Sequence, residues 1–172
     1  MKKHIGLLLL SCSLIGCGKA PVNNTSTTNG SDEPPSINSV DVVKAIPNEA
    51  TIAPGTSAET LLLIKITNGY HVNANPPSLP YLKPTVLEVS AAGGVAVESV
   101  TYPDPLMRKF SFSETPLKVY EGDTNLKVKL KADQKAAPGK HNLSAKLRVQ
   151  ACDDKVCYAP GVVDVLLPVN IK

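Results

Sequence analysis

The chain has 172 residues, enough for one domain and a tail, and its 42% hydrophobic content allows a sizeable core. Fifteen prolines, and no window with an apolar helical period over three turns, exclude a helical bundle. The formal net charge is +3, falling to near +1 if residues 1–16 leave with Lys2 and Lys3, which is no basic footprint for nucleic acid. Lys127, Lys129 and Lys131 alternate and read as the solvated face of a strand.

Lys2 and Lys3 form a positive start, followed by an apolar run, Ile5 to Leu10 and Leu14 to Ile15, around Ser11, Cys12 and Ser13. The run is shorter than the roughly 20 apolar residues a spanning helix needs. It ends in Leu14-Ile15-Gly16-Cys17, which resembles the lipobox of bacterial lipoproteins. Residues 1–16 are therefore expected to be a cleaved signal, with Cys17 lipidated. Gly18 stands where an Asp often marks inner-membrane retention, so the expected location is the cell envelope, with a lean toward the outer membrane. Residues 17–36 are the lipidated Cys and a tether of Asn, Ser, Thr, Gly and Pro that cannot offset its own ordering entropy. Its r.m.s. span is about 25 Å.

The folded domain is expected over residues 37–172. Val40 to Val43 reads as a first strand, and Pro54-Gly55 as a turn. Thr60 to Thr67 follows, with Leu62, Ile64 and Ile66 on one face. Asn68-Gly69 is a hairpin signal, and Tyr70 to Asn73 continues extended. Pro76, Pro77, Pro80 and Pro84 punctuate an irregular stretch. Val86 to Val89 and Val95 to Thr101 flank a Gly93-Gly94 turn. Leu126, Val128 and Leu130 alternate within Thr124 to Lys131, and Asp133 to Gly139 is a connection. Leu143, Ala145, Leu147 and Val149 give another inward face, opposite Lys146 and Arg148. Val163, Val165, Leu167, Val169 and Ile171 close the chain. Many short strands, each with one buried face, predict an all-β fold, an immunoglobulin-like antiparallel β-sandwich.

Of four cysteines, Cys12 leaves with the signal and Cys17 is acylated, which leaves Cys152 and Cys157 on a hairpin-like connection. An oxidising compartment favours a disulfide between them. Such a short loop stabilises the chain by only about 2 kcal/mol in the chain-entropy model. A bridge at an exposed rim is also open to an attacking thiolate. A structural staple and a redox centre both remain possible on spacing alone. Metal is set aside, because two thiols do not complete a four-ligand site and His71 and His141 read as ordinary histidines. No Ser/His/Asp arrangement stands out for a hydrolase.

The string Val149-Gln150-Ala151-Cys152-Asp153-Asp154-Lys155-Val156-Cys157-Tyr158-Ala159-Pro160 resembles the active-site segment of the amino-terminal domain of DsbD-type thiol:disulfide interchange proteins. Thr67-Asn68-Gly69-Tyr70-His71-Val72-Asn73 looks like that family's "dGYYxY" strand, and Val119-Tyr120-Glu121-Gly122 like its "VYeG" segment. The likeness covers residues 38 to 171. It implies an immunoglobulin-like domain that takes electrons from a membrane-embedded thiol donor. It would pass them to exported thioredoxin-like or disulfide isomerase proteins, as a protein-disulfide reductase component without a cofactor. By this resemblance Cys157 attacks the partner's disulfide and Cys152 resolves the mixed disulfide. Lys155 would favour a thiolate, and Asp153 and Asp154 would oppose it. A cap loop is implied at Tyr102-Pro103-Asp104-Pro105-Leu106-Met107-Arg108-Lys109-Phe110, with Phe110 or Tyr102 shielding the sulfurs. Tyr70 and Tyr158 are expected neighbours of the cysteines. Asn73 replaces a family aromatic, and Val149 and Ala159 stand where Tyr and Pro are common. The sequence stops at Lys172 with no thioredoxin-type C-x-x-C, so electrons are expected from a separate protein. The rival reading is a non-catalytic binding or assembly lipoprotein whose disulfide is structural.

Overall fold

The computed structural model describes residues 37–172, and every regular element in them is a strand. The expected signal (1–16), Cys17 and the tether (17–36) lie outside the described residues. In chain order the strands are β1 (Val43–Pro47), β2 (Ala50–Ile52), β3 (Ser57–Ile66), β4 (His71–Asn73), β5 (Val86–Val89) and β6 (Val95–Thr101). They continue with β7 (Leu106–Arg108), β8 (Leu117–Tyr120), β9 (Asp123–Ala132), β10 (Gly139–Val149), β11 (Ala151–Cys152) and β12 (Gly161–Ile171).

Period-two alternation builds the two main sheets, ordered β1-β3-β9-β6 and β2-β12-β10-β5. Leu62 and Ile64 of β3 and Leu126, Val128 and Leu130 of β9 are buried from one sheet. Leu143 and Leu147 of β10 and Leu167 and Ile171 of β12 are buried from the other. These side chains belong to one continuous core cluster. Each fully buried Leu or Ile is worth about 1.5–3 kcal/mol of transfer free energy. The outward partners, Lys127 and Lys131 on β9 and Lys146 and Arg148 on β10, are exposed. The fold is the expected immunoglobulin-like sandwich. All the strand pairings are antiparallel except β2 with β12, which is parallel.

A third small sheet, β11-β4-β8-β7, was not anticipated. It forms at the end of the sandwich where β3 finishes, β9 begins and β10 finishes. β10 breaks at Gln150 and resumes as β11, while β8 passes through Glu121-Gly122 into β9. Gly122 takes φ 57°, a left-handed bend that favours glycine. Under this sheet lies a second apolar cluster of Leu82, Phe110, Leu117 and Val119, with Leu79 and Cys157 packed against it.

Two local expectations are corrected. Residues 39–42 form a turn rather than a strand, with Asp41 N–H donating to Asn38 O at 3.0 Å and Asn38 N–H to Asp41 Oδ2 at 2.9 Å. The first strand begins at Val43 because the Asp41 side chain offers the backbone a local partner. Asn68-Gly69 is a turn, but not a hairpin: β3 pairs with β1 and β9, and β4 pairs with β8 and β11. The turn carries the chain from one sheet into another.

Candidate functional site

The cysteine segment folds as a tight hairpin. Tyr158 N–H donates to Ala151 O at 2.8 Å, and Asp153 N–H to Val156 O at 2.9 Å. The Asp153 side chain shapes the turn, with Oδ1 accepting from Lys155 N–H at 2.7 Å and Val156 N–H at 2.8 Å. Cys152 and Cys157 become opposed residues of a bridge, with Cα atoms 3.9 Å apart, and their sulfurs are bonded. The two cysteines are unequal in access: Cys152 is fully buried, whereas Cys157 is half-buried on the rim.

Asp153 Oδ2 accepts the Tyr158 hydroxyl at 2.6 Å. That bond, followed by those from the two backbone N–H groups and the charge of Lys155, holds the Asp153 carboxyl below its usual range. The same carboxylate pushes the Tyr158 hydroxyl up to about 12. Asp153 therefore stays ionised through neutral and mildly acidic pH, a negative charge beside the sulfurs that opposes thiolate formation.

β4 lies next to β11. His71 is directly opposite Cys152, and Val72 opposite Ala151. His71 is only 3% exposed, and its Nε2 has no hydrogen-bond partner. Burial lowers its proton affinity, against the carboxylates of Glu121, Asp154 and Asp153, and Arg108 adds to the lowering.

The loop between β7 and β8 packs against the disulfide hairpin. Phe110, 6% exposed, stacks on the His71 ring at 4.0 Å with 17° between planes, and on Phe112 at 5.3 Å. Ser111 Oγ donates to Asp154 O at 2.7 Å, which ties the loop to the hairpin. Lys109 Nζ donates to Ser113 O and Glu114 O, which holds the loop in its own curl. Arg108 pairs bidentately with Glu121, at 2.8 Å for each bond, beside His71.

Of the residues singled out from sequence, Phe110 stands with Cys157 in the small cluster. Tyr70 and Tyr158 meet each other, ring centroids 6.1 Å apart, and both pack on the main core. Tyr102 goes elsewhere: its hydroxyl accepts from Leu87 N–H at 3.0 Å, and its ring lies against the sandwich core. The middle of the expected cap, Leu106–Arg108, is strand β7. His141 is near the start of β10, the end of that strand remote from the cysteines, and its Nε2 meets Ala137 O at 3.0 Å.

Three supporting residues were not assigned from sequence. Ser39, fully buried, donates to Ala159 O at 2.6 Å and accepts from Ala151 N–H at 2.9 Å, so it clamps both arms of the hairpin. Gln150 Oε1 accepts from Asn73 Nδ2 at 3.0 Å and Lys83 N–H at 2.8 Å, while its Nε2 donates to Tyr158 O at 3.2 Å. A polar residue breaking the β10 alternation was the available signal for Gln150. Nothing local marked Ser39. In the sequence His71 reads as an ordinary histidine, and only the strand pairing reveals its place.

Residues 40–168 match the family model described as "Thiol:disulfide interchange protein DsbD, N-terminal". The chain belongs to that family. Among solved structures, it resembles the reduced DsbD N-terminal domain of Neisseria meningitidis at 17% identity and TM-score 0.44, covering 73% of this chain and 86% of that one. It also resembles the N-terminal periplasmic domain of ScsB from Proteus mirabilis, at 14% identity and TM-score 0.48, covering 74% of this chain and 45% of that one. A type I cohesin of Pseudobacteroides cellulosolvens is similar at 9% identity and TM-score 0.47, covering 76% and 92%. No curated protein matches. Membership of the DsbD N-terminal family, with a disulfide between Cys152 and Cys157, is consistent with thiol-disulfide chemistry, and points by homology to redox partner proteins and a periplasmic or cell-envelope setting.

Proposed function

We propose that this domain is a thiol-disulfide exchange relay using Cys152 and Cys157. The observation that carries the reading is the asymmetry of the disulfide, with Cys157 on the rim beneath a lid and Cys152 sealed behind it. An incoming sulfur can reach only the outer atom, which suits Cys157 to attack and Cys152 to resolve. In the reduced state, the Cys157 thiolate attacks the partner's disulfide. A mixed disulfide forms, and one partner sulfur leaves as a thiolate. Cys152 then attacks the Cys157 sulfur and expels the second partner sulfur. Two electrons and two protons pass to the partner, and a separate thiol donor restores the pair. The exposed side chains of Tyr81, Phe112 and Val156 border a groove that includes Cys157, an apolar approach for a partner segment.

We also propose that lipidated Cys17 and the 17–36 segment tether the domain to a membrane of the cell envelope, supported by the Leu14-Ile15-Gly16-Cys17 sequence. Incorporation of labelled palmitate that disappears in Cys17→Ala tests it, and undiminished label in that variant refutes it.

Trapping tests the relay. A reduced Cys152→Ser chain should hold an exported thiol-disulfide protein in a reductant-sensitive adduct, and Cys157→Ser should hold none. If neither variant traps a protein, and the folded, reduced native chain resists alkylation at both cysteines, the disulfide is a staple in an anchored sandwich.

A further inference from the structure

His71 is the floor on which the lid rests. It stands opposite Cys152 on the neighbouring strand, it is almost wholly buried, and Phe110 lies nearly parallel on its ring. Phe110 in turn belongs to the apolar cluster that holds Cys157. The Nε2 atom has no partner in this closed arrangement. A buried, unpartnered ring nitrogen is tolerable in a neutral imidazole and costly in an imidazolium, which must donate from both nitrogens.

We propose that His71 is a positioning residue for the exchange reaction: its neutral imidazole seats the Phe110 lid over the disulfide, and a proton on that ring unseats it. This rests on the relay reading, because lid opening is what exposes Cys157 to a partner. The charged groups around the ring come from each neighbouring element. Glu121 follows β8, Arg108 ends β7, Lys109 begins the lid loop, and Asp153 and Asp154 belong to the hairpin. Burial and Arg108 favour the neutral ring, and the three carboxylates favour the charged one, with burial the larger influence. Arg108 and Glu121 largely answer each other through their bidentate pair. Opening the lid removes the burial and leaves the carboxylates, so protonation favours the open form.

The sign follows. With the lid closed, the proton affinity of His71 is depressed from its ordinary 6.5. The closed form is therefore favoured above that value, and loses ground as pH falls below it toward the closed-state value.

The test is the rate at which a water-soluble phosphine reduces the Cys152–Cys157 disulfide in the oxidised full chain. Native protein is compared with His71→Phe, which keeps a stacking ring that cannot be charged. Taking the ratio of the two rates cancels the reductant's own pH dependence. From about pH 7.5 to about pH 5.5 the native-to-variant ratio should rise, toward a ceiling of about tenfold set by the ordinary 6.5 of the uncovered ring. His71→Gln, also uncharged, serves if the phenylalanine variant misfolds, and His141→Gln should follow the native profile. A ratio constant over this range, or a His141→Gln profile as flat as that of His71→Phe, overturns the proposal. The assay needs no partner protein, so a flat ratio beside successful trapping sinks the lid mechanism alone. A rising ratio beside failed trapping sinks only the relay.

Discussion

The Tyr158 hydroxyl donates to Asp153 across the disulfide hairpin at 2.6 Å, joining the residue after the first cysteine to the residue after the second. This bond is the leading reason Asp153 titrates low. In Tyr158→Phe the Asp153 midpoint should move up toward its ordinary 3.8, read from the carboxyl carbon shift during an acid titration. The stability that Asp153 lends the hairpin is present above 3.8 and is lost as pH falls through the lower folded value. The same variant should remove the tyrosine ionising at about 12 from the ultraviolet phenolate titration. An Asp153 midpoint that does not move would show the turn N–H groups to be the dominant cause.

Ser39→Ala should destabilise the domain and loosen the hairpin together. The substitution strands the buried Ala151 N–H and removes the donor to Ala159 O. The expected cost is about 1–3 kcal/mol, measured by urea unfolding. Amide exchange at Ala151 should accelerate. Retained native stability and protection would mean that water replaces the hydroxyl at no cost.

Ser111→Ala cuts the single side-chain tie from the lid loop to the hairpin seen among the described residues. A neutral hydrogen bond of this kind is worth about 0.5–1.5 kcal/mol, so the disulfide should be reduced roughly two- to tenfold faster. Global stability should change less than the reduction rate. Equal effects on both would place the bond in the cooperative fold rather than in lid opening.

Gly161 opens β12 just beyond the hairpin, and a methyl group there would come within 2.5 Å of Val40 Cγ1. Gly161→Ala should cost about 1–3 kcal/mol, because Val40 is too stiff to yield and sits beside Ser39. Adding Val40→Ala should restore much of the loss. Failure of that rescue would locate the strain in the backbone instead.

Reducing the disulfide should lower stability by about 2 kcal/mol, the chain-entropy value for so short a loop. The sandwich should remain folded, with its far-ultraviolet spectrum unchanged. Unfolding on reduction would mark the bridge as the mainstay of the domain and weaken the case for a reversible couple.

The sandwich was legible because alternation over β3, β9, β10 and β12 is nearly unbroken, and the period alone decides which side chains go inside. Both cysteines were legible from their spacing and their setting. The third sheet was not, because β4, β7, β8 and β11 have two to four residues each and too few alternations to show a period. Which of Phe110 and Tyr102 lies with Cys157 was not legible, since a proline-rich stretch gives no register; Phe110 shares its cluster and Tyr102 packs on the sandwich core. The Asn68-Gly69 signal gave the turn and not its consequence, because which strands pair is decided by the core rather than by the two turn residues. His71 illustrates the same limit: its chemistry comes from standing opposite a cysteine 81 positions later in the chain, and only pairing creates that neighbourhood.

The pairing of β12 between β2 and β10 has a temporal consequence. A polypeptide made from its amino end presents both thiols before the segment that fills the gap between those two strands. For that interval, the early partner strand is waiting and the cysteines stand in an unfinished scaffold. Any oxidant that meets the growing protein then acts on two thiols whose neighbouring sheet still lacks its central strand.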